Sequence, residues 1–280
     1  MAGQPRTVGL RALSGESGAG EELLVLRGLR KTFGGLVAVA DFSVGILRGE
    51  ILSTIGPNGA GKTTVFNMVS GLLHPDRGEI RLNGEPIGHL PPFERTGKGL
   101  GRTFQNLRLF PTLTVLENVM AGRHARSRAG IVPSVLGLRW AREEERATVV
   151  RSLEWLEFVN PVLVERWNEQ VRNLPYGLQR QVEVARALAA EPVLLMLDEP
   201  AAGLNEAETQ ELMGLVRRIR DSGVTVWLIE HDMSVVMGIS DRVVVLDHGE
   251  VIAQGPPVEV QRDPRVIEAY LGRDDPEEHR

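Results

Sequence analysis

The chain has 280 residues, with 32 Lys and Arg against 37 Asp and Glu, a formal net charge of −5 and no cysteine. That length holds one large domain, or a domain with a subdomain, around a sizeable core, and the acid excess argues against a nucleic-acid binder working by bulk electrostatics. The missing thiols exclude disulfides and thiolate metal centres and suit a cytosolic home.

Residues 1–20 are rich in Gly, Ser and Ala without periodicity and read as a disordered tail. They lack the apolar core of a signal peptide, and no apolar run in the chain approaches the ~20 residues that cross a bilayer. The chain is therefore expected to be soluble, with any membrane role exercised through a partner. Order is expected from near Glu22. Phe42, Val44 and Ile46 alternate with Ser43 and Gly45, the period of a half-buried strand, before the turn Arg48-Gly49-Glu50. Ile51 to Ile55 is the next strand. It runs into Gly56-Pro57-Asn58-Gly59-Ala60-Gly61-Lys62-Thr63, and Thr64 to Val69 continues as a helix. Strand, glycine loop closed by Lys-Thr, and helix together form the context of a phosphate-binding P-loop.

The chemistry fits the residue types. Gly56, Gly59 and Gly61 let successive backbone N–H groups turn toward phosphate oxygens, and the helix N-terminus adds partial positive charge. Lys62 supplies a compact charge to the β- and γ-phosphates, and the Thr63 hydroxyl can ligate magnesium. Only Lys31, Lys62 and Lys98 are lysines among the 32 basic residues. Arginine's broad fork would not fit a tight phosphate cradle, so a lysine at this position in an arginine-rich chain is informative.

From about residue 112 to 190 the character changes to that of a helical insertion. Residues 123–151 are rich in arginine and hold Glu143-Glu144-Glu145, and Leu153, Leu156 and Val159 follow at helical spacing. Those charge runs read as solvated helix faces. Leu107, Phe110, Leu113 and Val115 are unusually apolar for a connection and are expected to form a groove that receives a partner helix, with packing of the insertion onto the sheet as the alternative. Val193 to Leu197 is a buried strand that ends in Asp198 and Glu199. An acid delivered at a strand end beside a P-loop matches the Walker B arrangement, with Asp198 on magnesium and Glu199 polarising the attacking water. Asn205 with Glu208 reads as a helix cap and its capping-box partner, opening a helix over Glu206–Asp221. Val224–Ile229 and Val243–Leu246 are further buried strands, and Asp274 to Glu278 is an acidic tail. Short strands alternating with helices predict an α/β fold with a mostly parallel sheet.

With the P-loop, GRTFQ at 101–105, LPYGLQRQ at 174–181, LLMLDE, AAGLN at 201–205 and IEHD at 229–232, the chain resembles the ATP-binding subunits of ABC transporters over residues 22–271. The resemblance implies a P-loop NTPase of the ABC ATPase type over 21–272: a mostly parallel core sheet, an N-terminal antiparallel β subdomain and the inserted helical subdomain. It implies that Phe33 stacks on adenine, that Gln105 touches magnesium and the attacking water, and that His231 bonds the γ-phosphate. Within the family, GRTFQNLRLFPTLTVLENVM, LPYG, IEHDMSVVMGISDRV and VIEAYLG are most similar to the branched-chain amino-acid importer ATPases. Those work as a pair of different ATPase subunits with two permease subunits and a separate substrate-binding protein. The implied ligands are ATP and magnesium, and the implied place is the cytoplasmic face of the membrane, with no nucleic acid.

The alternatives are importers of urea or other amides, the lipopolysaccharide-export ATPase and, outside transport, ABC ATPases of ribosomes or DNA. The single P-loop and the lack of a long coiled coil disfavour the last group. Two positions depart from the family pattern. Pro175 replaces the signature serine and offers neither hydroxyl nor N–H, so the signature is expected to grip the γ-phosphate through the Gly177 N–H and a helix beginning just after it. Asn205 stands where the family usually has aspartate.

Overall fold

The short apolar runs form strands that are buried along their whole length: β3 (Ile51–Ile55), β7 (Leu194–Asp198) and β8 (Thr225–Ile229). Strands of this kind belong in a parallel sheet covered on both faces. The computed structural model of the chain describes residues 20–123 and 139–271. The expected tails beyond these bounds, and much of the arginine-rich stretch, lie outside the described residues.

The other strands are β1 (Glu22–Phe33), β2 (Leu36–Leu47), β4 (Arg77–Leu82), β5 (Glu85–Pro86), β6 (Leu100–Arg102), β9 (Arg242–Asp247) and β10 (Glu250–Gly255). Together they make one sheet in the order β5-β4-β1-β2-β10-β9-β3-β8-β7-β6. From β9 to β6 the neighbours run parallel, while β5, β4, β1 and β2 form an antiparallel region of two hairpins joined by the β1–β4 pairing. The predicted strand at 42–46 falls in β2, with Phe42, Val44 and Ile46 buried as the alternation required.

Alternation along the central strands divides the core between two faces. Leu194, Met196, Trp227 and Ile229 pack with Phe42, Leu24 and the P-loop helix α1 (Lys62–Val69). Leu195, Leu197, Val226 and Leu228 face the other way. There they meet α3 (Val115–Gly122), α4 (Arg139–Val159), α6 (Tyr176–Leu188) and α7 (Glu206–Asp221). Between these lie α2 (Pro92–Gly97) and α5 (Pro161–Glu165), and α8 (Met233–Ile239), α9 (Pro257–Val260) and α10 (Pro264–Leu271) follow. The polar atoms of β3 are matched. Trp227 Nε1 donates to Thr54 Oγ1 at 2.8 Å, and Ser53 pairs with Ser240. Each fully buried aliphatic side chain here stabilises the fold by roughly 1.5–3 kcal/mol.

Two expectations change in detail. Helix α6 starts at Tyr176, with Pro175 as its cap, so Gly177 lies inside the first turn rather than before it. Proline's fixed φ suits the entry to a helix. Of the apolar residues at 107–115, Val115 is core and Leu107 and Leu113 are half-buried, whereas Phe110 is 52 % exposed. Subdomain packing therefore accounts for Val115, and Phe110 alone stays on the surface.

Candidate nucleotide site

In a parallel sheet the loops after the strands gather at one edge. Here β3, β8, β7 and β6 are consecutive neighbours, and the loops after them carry the P-loop, His231, Glu199 and Gln105.

The P-loop owes its shape to glycine. Gly56, Gly59 and Gly61 have φ of 149°, 83° and 102°, which side-chain-bearing residues rarely adopt. A Cβ at Gly56 would run into the Leu246 carbonyl oxygen, and one at Gly61 into that of Ala38. Both walls are main chain. Ala60 N donates to Pro57 O at 3.2 Å, and Gly249 N to Ala60 O at 3.0 Å, while Asn58 and Gly59 lie exposed at the rim. The first turn of α1 holds no acidic residue and no side-chain cap. Its N–H groups and dipole therefore face the loop, an arrangement suited to an anion. Lys62 is buried, and its Nζ donates to Gly56 O at 2.6 Å and Pro57 O at 2.9 Å. Burial lowers its pKa, against the pull of Glu199 and Asp198. Thr63 is exposed beside it and Thr64 half-buried.

Glu199 follows β7 with φ 47°, a left-handed conformation that costs a non-glycine residue on the order of 1–3 kcal/mol and persists only where its surroundings impose it. Two bonds impose it: Glu199 N donates to Ile229 O at 3.0 Å and Ala202 N to Glu199 O at 3.1 Å. The carboxylate then collects two predicted partners. Gln105 Nε2 donates to Glu199 Oε2 at 2.9 Å, and His231 Nδ1 lies 3.8 Å from the same oxygen. Gln105, Glu199 and His231 thus meet although 126 residues of chain separate the first from the last.

Asp198, also buried, is paired with Arg102, which the sequence reading missed. Arg102 Nη2 reaches Asp198 Oδ2 at 2.9 Å, and its Nη1 donates to Asn67 Oδ1 at 2.8 Å and Ser70 Oγ at 2.6 Å in and after α1. Burial raises the Asp198 pKa, against the lowering effect of Arg102. Arg180 was missed as well. From α6 it donates to Phe104 O at 2.8 Å and Gln105 O at 2.9 Å, with Glu183 at 3.1 Å as its buried counter-ion. Helix α6 therefore holds the backbone of Gln105. Glu183 stands at the helical i+3 spacing from Arg180, but no spacing announces the bonds of Arg180 to Phe104 and Gln105 or of Arg102 to Asp198.

Phe33 is 49 % exposed at the end of β1, on a hairpin whose second strand backs Gly61 through Ala38. Gly177 is on the same helix as Arg180 and lines one pocket with it. It is buried against α7, where an added Cβ would come 2.5 Å from Glu208 Oε1.

The oxygen donors Thr63, Asp198 and Gln105 suit magnesium, a hard cation that keeps several waters. Gln105 Nε2 is engaged by Glu199, which leaves Oε1 as its oxygen donor. Among the described residues no cluster of three or more His, Asp or Glu forms, so such an ion would take most of its shell from phosphate and water.

Comparison with known proteins agrees with this geometry. Residues 39–202 match the family model described as ABC transporter, and residues 250–276 the model described as branched-chain amino acid ATP-binding cassette transporter. The chain is 44 % identical over 253 residues to the high-affinity branched-chain amino acid transport ATP-binding protein LivG of Salmonella typhimurium, covering 90 % of this chain and 98 % of that one. Among solved structures it resembles the ADP conformation of MJ1267, an ATP-binding cassette of an ABC transporter. The TM-score there is 0.78 with 30 % identity, over 90 % of this chain and 99 % of the other. It also resembles the dimeric post-hydrolysis state of the cassette MJ0796 bound to ADP and phosphate, with a TM-score of 0.70 and 27 % identity over 84 % and 98 %.

Proposed function

The chain belongs to the ATP-binding subunits of ABC transporters, and we propose that it hydrolyses ATP to drive uptake of branched-chain amino acids through membrane permease subunits. The substrate class rests on the likeness to LivG and on the matched segment at 250–276. The observation that carries the catalytic reading is the convergence of Gln105 and His231 on Glu199 Oε2 beside the P-loop.

In this reading Phe33 stacks on adenine, and the loop Gly56 to Thr64 wraps the phosphates. Thr63, Asp198 and Gln105 would hold magnesium, which would supply charge neutralisation for the phosphates. Glu199 accepts a hydrogen bond from the attacking water and takes up its proton as the oxygen bonds to the γ-phosphorus, and ADP leaves. Gln105 orients that water, and His231 donates to the γ-phosphate. The work is positioning and charge neutralisation rather than covalent catalysis. The other half of the site is the signature of a second ATPase subunit, a different chain in a heterodimer, and Gly177 serves that subunit's nucleotide in return. The pair acts at the cytoplasmic face of the membrane, with a substrate-binding protein delivering cargo to the permeases.

Glu199→Gln tests the reading. Phosphate release should fall by about 100-fold or more with ATP affinity retained, measured by phosphate assay and by titration with a fluorescent ATP analogue. Undiminished release would remove Glu199 from the mechanism.

A further inference from the structure

Glu230 lies between β8 and His231 and is 0 % exposed, a costly place for a carboxylate unless its oxygens are bonded. Its partners are backbone donors from two different loops. Ala201 N donates to Oε1 at 2.9 Å and His231 N to Oε2 at 3.2 Å. Its own N–H is tied to Thr54 O of β3 at 3.3 Å.

Ala201 stands two residues after Glu199, in the turn whose left-handed backbone needs outside support. His231 is the other group on Glu199 Oε2. One buried side chain therefore grips the main chain of both loops, and no loop residue's identity enters the grip. From Ala201 the chain runs through Leu204, whose N–H bonds Ala201 O at 3.1 Å, to Asn205 at the head of α7. Whatever moves residues 201–205 thus pulls on Glu230.

We propose that Glu230 is a positioning residue, a buried latch that sets Glu199 and His231 at one spacing and makes the 201–205 loop and the His231 loop move as a unit. The inference rests on the catalytic reading above but concerns a residue that touches neither nucleotide nor water.

Glu230→Gln is the test, because it keeps volume while replacing one acceptor oxygen by an NH2 group, so one backbone N–H faces a donor. The expected result is a kcat lowered by about tenfold or more with ATP affinity within about twofold of the parent, since the P-loop is untouched. A kcat within about twofold of the parent overturns the latch, as does an equal loss of ATP affinity and kcat, which marks general damage. Glu199→Gln run alongside separates the two claims: if it stays active the catalytic reading fails, and if it is dead while Glu230→Gln is active only the latch fails. Hydrogen exchange on the unaltered chain decides the matter even if the variant does not fold. The Ala201 and His231 amides should be protected together, and free exchange at Ala201 beside a protected His231 overturns the proposal.

Discussion

The ion pair of Arg102 and Asp198 shows what a buried charge requires. Burial works against both partners, lowering the pKa of Arg102 and raising that of Asp198, while their mutual bond opposes each shift. Removing one partner from such a pair is costlier than the pair's net contribution, because the other charge is stranded. Arg102→Met should lower stability by about 3–5 kcal/mol, read as a lower urea midpoint at unchanged slope. The sign of its pH dependence follows. The stranded Asp198 would titrate higher still in the folded variant, so protonation relieves the penalty. The deficit against the parent should narrow as pH falls through that raised value and be fullest near neutrality. Legibility at this scale followed chain distance. The P-loop and the Asp198-Glu199 pair were readable because glycine chemistry and strand-end acids are local signals. Arg102 meets Asp198 across 96 residues, Arg180 meets Gln105 across 75, and Glu230 meets Ala201 across 29. Those meetings depend on sheet order, which no short pattern encodes.

Helix starts show the same boundary one level up. Asn205 and Glu208 form the reciprocal capping box that their spacing predicted. Thr114 and Glu117 form another at the head of α3, which the apolar sequence around them concealed. Strand β6 has only three residues, too few for a period to register, yet it delivers Gln105. The segment before α3 is held by Asn118, which is fully buried. It accepts from Phe110 N at 2.8 Å and donates to Phe110 O at 3.1 Å and Thr114 O at 2.9 Å. Asn118→Leu would take the partner from the Phe110 N–H, while Phe110 O and Thr114 O keep the backbone N–H groups of Leu113 and Asn118, and should cost about 1–3 kcal/mol, measured by urea denaturation. It should also free the loop that carries the exposed Phe110, raising amide exchange at Phe110 beyond what the loss of global stability accounts for.

At the scale of the molecule, the helical layer and the antiparallel strands draw on opposite faces of the same central strands. A shift of those strands at the nucleotide edge therefore reaches the packing on both faces. The proposed pairing makes an assembly prediction. With ATP and magnesium, the Glu199→Gln chain should elute alone as a monomer, and as a one-to-one complex when mixed with its second ATPase subunit. Light scattering on the eluate checks this, and a stable dimer of the chain alone would refute the heterodimer. The walls around the P-loop carry a consequence for genetics. Gly56 and Gly61 are hemmed in by carbonyl oxygens of residues 246 and 38, and every amino acid brings the same oxygen. No second substitution at either neighbour can make room, so alleles at these two glycines should yield no intragenic suppressors there. Gly177 is walled by the Glu208 side chain instead, and a shortened residue at 208 is where revertants of a Gly177 allele should be sought.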